Sequence, residues 1–186
     1  MELILASASP RRREILAAAG IGCRVVTSGI EESPLPGEAP EMYARRLALE
    51  KAEAVARQEP GLILAADTIV VLGESILEKP ADPEDAGRML AMLAGHSHQV
   101  ITGIAIVHPG GVVVDAERTW VRFSPLASDE IRDYVATGEP LGKAGAYAIQ
   151  GRASRFVASI EGCYFNVVGL PLSRVYRHLR DLGWSG

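Results

Sequence analysis

Apolar residues recur along the chain in two rhythms, and the alternation between them predicts an α/β fold. Leu3 to Ala6 is a short apolar run before a serine-rich turn and reads as a buried strand. Ser9-Pro10 supplies a cap and a first helical residue, opening a helix that runs through Ile15 and Leu16 to a stop at Gly20. Cys23 to Thr27 is a second short strand, and Glu31 to Pro40 is a polar, proline-rich segment that reads as an ordered surface loop. Residues 41–58 form the clearest helical segment, with Met42, Leu47, Ala54 and Val55 available to one apolar face. Leu62 to Leu72, rich in Ile, Leu and Val and bounded by glycines, predicts a buried strand.

The second half continues the alternation. Asp82-Pro83 opens a helix that ends near Gly95. Val100 to Val107 and Val112 to Phe123 flank Pro109-Gly110-Gly111, a strong hairpin signal that makes the sheet mixed rather than purely parallel. Ser128 caps a helix ending at Gly138. Strands follow near Tyr147 to Gln150 and near Phe156 to Ile160, and a last helix runs from Pro171 to Leu182. There is no internal repeat, low-complexity tract or long linker, so residues 1–186 read as a single α/β domain, with a division into two lobes left open.

Composition narrows the function. At 48% apolar residues the chain can build a packed core, which excludes a disordered class. A net charge of −4 disfavours a bulk nucleic-acid partner, and 5% aromatic residues disfavour a single-stranded RNA binder. Cys23 and Cys163 are too few for a disulfide framework and read as reduced thiols. No apolar run reaches the roughly 20 residues of a membrane span. The N-terminal apolar run precedes its basic cluster, the reverse of a secretory signal, so the expected location is the cytoplasm.

Four groups carry candidate chemistry. In Ser7-Ala8-Ser9-Pro10-Arg11-Arg12-Arg13, a strand leads into a helix with three arginines in its first turn. A helix N-terminus already bears partial positive charge, so three cations there favour an arriving anion over helix stability alone. A solvated basic face with Ser9 as an ordinary cap is the competing reading, and the P-loop pattern is absent. Asp67 interrupts an apolar run and needs a partner, a metal or a strand-end hydrogen bond. Glu31 and Glu32, read alone, suit a solvated loop; beside a phosphate site, such carboxylates are ordinary ligands for Mg²⁺. Lys51 and Lys79 read singly as surface residues. Lys143-Ala144-Gly145-Ala146-Tyr147 with Ile149-Gln150-Gly151 combines small residues, a cation and an amide able to read a base edge, or else forms a strand with tight turns. His96 and His98, two apart in a polar turn, match no zinc pattern.

These groups, together with Ile30-Glu31-Glu32, Ala66-Asp67-Thr68-Ile69-Val70, Glu78-Lys79-Pro80, Thr102-Gly103, Gly138-Glu139-Pro140 and Asn166 to Leu172, stand in an order that resembles the Maf family over essentially the whole chain. The resemblance implies a mixed twisted sheet flanked by helices, with two lobes and a central cleft, similar to inosine-triphosphate pyrophosphatases. It implies hydrolysis of a nucleoside triphosphate to the monophosphate and pyrophosphate with a divalent cation, Mg²⁺ or Mn²⁺. By motif match Asp67 is the proton acceptor, and Glu32 and Asp67 lie at the metal. Ser7, Arg11, Lys51, Lys79 and Lys143 contact substrate, and Arg12, Thr68 and Gln150 set specificity. Asp67-Thr68 with Ile149-Gln150-Gly151 resembles the dTTP/UTP branch, a house-cleaning activity that extends to modified pyrimidine nucleotides, rather than the 7-methyl-GTP branch. The family's link to septum formation adds a second function class, a nucleotide-binding regulator of cell division. The expected partner is thus a nucleoside triphosphate, with no bulk nucleic acid and no membrane, and a homodimer is left open. Gly142 departs from the family, which commonly has Asp there; this bears on efficiency and metal preference rather than class.

Overall fold

Strands that are apolar on both faces must be covered on both, and the first strands of this chain obey that rule. In the computed structural model, which describes residues 2–185, β1 (Leu3–Ala6) is buried at all four positions. It lies between β2 (Arg24–Val26) and β3 (Leu62–Leu72) and is parallel to both, with Ile4 opposite Arg24 on one side and Ile63 on the other. Parallel neighbours need crossovers, supplied by α1 (Pro10–Ala18) and α2 (Pro40–Ala56). The direction then reverses: β4 (Ser75–Leu77) runs antiparallel to β3. After α3 (Pro83–Leu93) come β5 (Ser97–His108) and β6 (Gly111–Phe123), then α4 (Ser128–Val135). Next is β7 (Val157–Glu161), antiparallel to β6, and the chain closes with α5 (Tyr164–Val168) and α6 (Leu172–Asp181). The strand order is β2-β1-β3-β5-β6-β7 with β4 beside β3, the mixed α/β sheet the sequence predicts. No helix among the described residues is long and apolar enough to cross a membrane.

The chain forms two compact units. The first comprises residues 2–68, 102–117 and 169–185. Its core sets Ala48, Ala52 and Val55 of α2 against Ile4, Ala6, Ile63, Ala65 and Ala105 of the strands. The helical phase that turns this alanine-rich face inward leaves Met42 58% exposed and Ala54 half-buried, so the apolar face expected from Met42 and Ala54 is rotated. Small residues let α2 approach so closely that a Cβ at Gly103 would fall on the backbone of Ala44 and Arg45. Gly103→Ala should therefore destabilise the protein by about 1–3 kcal/mol, read as a lower urea midpoint; an unchanged midpoint would rule out this close approach.

The α6 helix is fastened to β6 by charge. Arg174 donates through Nε to Glu117 (2.7 Å) and through Nη1 to Asp115 (2.9 Å), and His178 Nε2 lies 2.9 Å from the same Asp115 oxygen. Burial alone would raise the Asp115 pKa, but hydrogen bonds from Arg174, His178 and the Ala116 amide bring it down to about 2. A depressed carboxylate stabilises the fold above its unfolded pKa and loses that contribution as pH falls through the folded one. The melting-temperature gap between wild type and Asp115→Asn should thus be open at neutral pH and shrink between about pH 4 and about pH 2.

The second unit comprises residues 69–101 and 118–168. Asp82 caps α3 by accepting from the Asp85 amide (2.8 Å), and the helix buries Ala86, Met89, Leu90 and Leu93. They join a core that includes Phe123, Tyr134, Tyr147 and Phe156. His98 is not in a polar turn, as the sequence suggested, but inside β5 and fully buried. Its Nε2 lies 2.9 Å from the Tyr147 hydroxyl, and burial pushes its pKa down to about 4, so it sits there as a neutral ring.

Two further expectations are corrected in this unit, and one element is added. Residues 147–150 form no strand: a 3-10 turn at Ala144–Ala146 leads into a second turn. Left-handed backbone at Gly142 (φ +72°), Gly145 (+66°) and Ala146 (+59°) turns the chain just before this segment, and the segment itself folds into a turn closed by the Gly151 amide donating to the Ala148 carbonyl (3.0 Å). The cap of α4 is Ala127 rather than Ser128, its amide donating to the Glu130 carboxylate (2.9 Å). The short α5, sequestering Asn166, was not expected.

Candidate functional site

The residues of the first unit's site come from the end of β1, the middle of β3, the start of α1 and the buried face of α2. Ser7, only 6% exposed, follows β1. Its hydroxyl accepts from the Ser9 amide (3.2 Å) and from Arg12 Nη1 (3.0 Å). Ser9 occupies the cap position of α1 but its side chain makes no cap bond, so Ser7 orders this turn. Arg12 then uses its whole fork: Nε donates to the Gly169 carbonyl (2.8 Å) and Nη2 to Thr68 Oγ1 (3.1 Å). Thr68 in turn lies 2.9 Å from Thr102 Oγ1. Burial lowers the Arg12 pKa; Asp67 raises it, Arg11 lowers it and Glu32 raises it to smaller degrees. Three acceptors in three directions suit a planar guanidinium and not an ammonium. Two of the three expected specificity positions, Arg12 and Thr68, are thereby in direct contact. Arg11 is half-buried beside them in the sequence.

The acidic residues meet at a lysine. The α2 phase that buries Ala48 and Ala52 also buries Lys51, which is 7% exposed, and Asp67 on β3 is 6% exposed. The Lys51 ammonium lies 2.5 Å from Asp67 and 2.6 Å from Glu32, so two carboxylates distant in sequence share one cation. A buried carboxylate inside an apolar strand requires such a partner. Glu31 stays exposed and accepts from the Ser33 hydroxyl (3.3 Å). The segment carrying Glu32 is pinned by Arg46, which donates to the Ser33 carbonyl (2.9 Å) and grips Glu38 with two bonds of 2.7 Å. Among the described residues, no group of three or more His, Cys, Asp or Glu forms a self-contained metal cage.

In the second unit, Lys79 is exposed next to the buried Pro80, and Lys143 donates to the Glu139 carbonyl. Gln150 is exposed at the apex of its turn. Gly142 is exposed, and a Cβ there would meet nothing; the left-handed φ is the only obstacle to the family's Asp. Sequence reasoning gave no role to Arg46, Thr102, Glu139 or Gly169. Thr102, Glu139 and Gly169 stood inside matched motifs, whereas Arg46 carried no signal beyond being a helical arginine.

The chain belongs to the Maf family: it matches the family described as Maf-like protein over residues 2–182. It is 54% identical over 187 residues to a protein named dTTP/UTP pyrophosphatase from Geobacter sp. (strain M21), covering 99% of this chain and 97% of the relative. It is 52% identical over 184 residues to a protein of the same name from Koribacter versatilis (strain Ellin345), covering 98% and 95%. Among solved structures, it is similar at a TM-score of 0.46 and 17% identity to the nucleoside-triphosphatase / dITP/XTP pyrophosphatase of Mycobacterium abscessus ATCC 19977 / DSM 44196, covering 98% of this chain and 96% of that one.

Proposed function

We propose that the protein is a cytoplasmic nucleoside triphosphate pyrophosphatase that hydrolyses dTTP and UTP to the monophosphate and pyrophosphate. The observation that carries this reading is the convergence of Asp67 and Glu32 on the Lys51 ammonium, in a chain whose relatives of about half-identical sequence bear that name.

A triphosphate brings about four negative charges, and attack at the α-phosphorus concentrates more in the transition state, so cations must be fixed before the substrate arrives. In the first unit Arg11 is the candidate cation, with the Ser7 hydroxyl as a short polar contact; in the second unit the candidates are Lys79 and Lys143. Lys51 spends donors on Asp67 and Glu32 and retains a third N–H for a phosphate oxygen. Asp67 orients a water and accepts its proton as the water oxygen bonds to the α-phosphorus. The bond from that phosphorus to the bridging oxygen breaks, and pyrophosphate leaves. Two hard oxygen donors already gathered around one positive charge fit a Mg²⁺-type ion, which takes one or two carboxylates plus substrate phosphates. Glu32 and Asp67 are the residues that would hold such an ion, which would supply charge neutralisation to the reaction. Arg12 and Thr68 are the first unit's candidates for base selection and Gln150 the second unit's, and a Gln amide can both donate to a pyrimidine carbonyl and accept from its ring N–H.

A pyrophosphate-release assay across dTTP, UTP, CTP, GTP and 7-methyl-GTP, with Mg²⁺, Mn²⁺ or EDTA, tests the reading. Metal-dependent release from dTTP and UTP with monophosphate as co-product is expected. Preference for 7-methyl-GTP would overturn the base assignment, and absence of turnover with any nucleotide would overturn the activity.

A further inference from the structure

Gln150 sits in an exposed turn with no regular structure, yet a side chain that discriminates bases must be held still. From the contacts around this turn, we infer that Glu139 is the positioning residue for it, and so sets base selectivity without touching the nucleotide. The inference rests on the reading of Gln150 as a base-contacting side chain.

The geometry is a clamp with one jaw on each side of Gln150. On the far side, the Arg152 amide donates to both Glu139 carboxylate oxygens (3.0 and 3.2 Å). On the near side, the Ala148 amide donates to the Tyr134 hydroxyl (3.2 Å), which itself donates to Glu139 Oε1 (2.9 Å). The two amides flanking Gln150 at equal spacing therefore end on one carboxylate. Tyr134 is fully buried, which fixes the relay at the core, and its ring packs edge-on against Phe156 at 5.3 Å. The carboxylate approaches so closely that a Cβ at Gly151 would overlap it. Gly151 is thus a glycine for space, its φ of −102° being open to any residue. The Glu139 backbone carbonyl also accepts from Lys143 Nζ, so one residue anchors the expected base reader and an expected phosphate-binding cation. Nothing in an isolated reading of Gly138-Glu139-Pro140 points to this, because Glu139 acts on atoms 9 to 13 residues downstream.

The test compares kcat/KM for UTP and GTP in wild type, Glu139→Ala, Glu139→Gln and Gln150→Ala, with amide hydrogen exchange at Ala148 and Arg152. Glu139→Ala should lower the UTP-to-GTP ratio about tenfold, mainly through KM for UTP, as expected for losing the hydrogen bonds that anchor the turn. Exchange at both amides should accelerate. Glu139→Gln keeps an oxygen acceptor and should restore most of the ratio, which a purely electrostatic role would not. Combining Glu139→Ala with Gln150→Ala should add no further loss of selectivity beyond Gln150→Ala alone. If Glu139→Ala does not fold, Tyr134→Phe, which removes only the relay hydroxyl, should lower the ratio in the same direction. An unchanged ratio in the folded Glu139 or Tyr134 variants, while Gln150→Ala lowers it, would overturn the inference. An unchanged ratio in Gln150→Ala would overturn it through its premise, leaving the pyrophosphatase activity standing.

Discussion

Asp67→Asn is expected to lower turnover of dTTP and UTP by about 10²–10⁴-fold, the range for removing a general base, while leaving nucleotide binding within a few-fold of wild type. The substitution preserves volume in a strand position only 6% exposed and keeps an oxygen that can accept from Lys51. Glu32 continues to hold the ammonium at 2.6 Å in the parent geometry, so neither collapse nor gross rearrangement should accompany the loss. What disappears is the ability to take a proton from water. Because that proton moves only in the transition state, the loss should fall on kcat and on kcat/KM in parallel rather than on substrate affinity. Steady-state kinetics with equilibrium binding of a non-hydrolysable UTP analogue separates the two. Near-wild-type kcat would remove Asp67 from the base role, and a large loss of binding with kcat retained would make it a ligand residue instead.

How much of this was legible in the sequence depends on whether a feature is local. The runs Leu3 to Ala6 and Leu62 to Leu72 announced β1 and β3 because buried parallel strands are apolar on both faces, and Asp82-Pro83 announced α3 because capping is a short-range interaction. The segment 147–150 was misread as a strand because its apolar residues imitate one; the turn closed by the Gly151 amide on the Ala148 carbonyl shows only in the backbone. Of the α2 face expected from Met42, Leu47, Ala54 and Val55, Leu47 and Val55 are buried, but the sheet side also takes the small residues Ala44, Ala48 and Ala52 in place of Met42 and Ala54. At the candidate site, Asp67 stood out as a carboxylate inside an apolar run, whereas Glu32 read alone as part of a solvated loop and Lys51 as a surface residue. Their meeting was not legible, since it requires the α2 phase and the β3 register together. Charge and spacing alone left Arg12 one of three equivalent arginines, distinguished only by the family motif, and its anchor is Gly169, 157 residues away. Long-range partners of this kind leave no mark on periodicity or spacing.

The Lys51 ion cluster makes the second large prediction. Lys51→Met keeps the apolar stem that packs on the buried face of α2 but removes the only cation these contacts assign to both Asp67 and Glu32. Breaking a buried pair by removing one partner costs about 3–5 kcal/mol, because the remaining charge stays desolvated. Glu32 is one-third exposed and can relax into water, so most of that cost belongs to Asp67 and the lower end applies. A melting-temperature fall of roughly 6–12 °C follows for a chain of this size. The same substitution should raise the response to divalent metal. In wild type an arriving ion competes with the Lys51 ammonium at these carboxylates, whereas in Lys51→Met that competitor is gone. Adding Mn²⁺ or Mg²⁺ alone, without nucleotide, should therefore raise the melting temperature of the variant more than that of wild type, by mass action on the folded state. Calorimetric scans with and without metal decide the matter. A variant as stable as wild type would mean that the Lys51 contacts carry no net energy. A destabilised variant with no added metal response would confine Glu32 and Asp67 to ion-pairing and take the metal-binding role away from them.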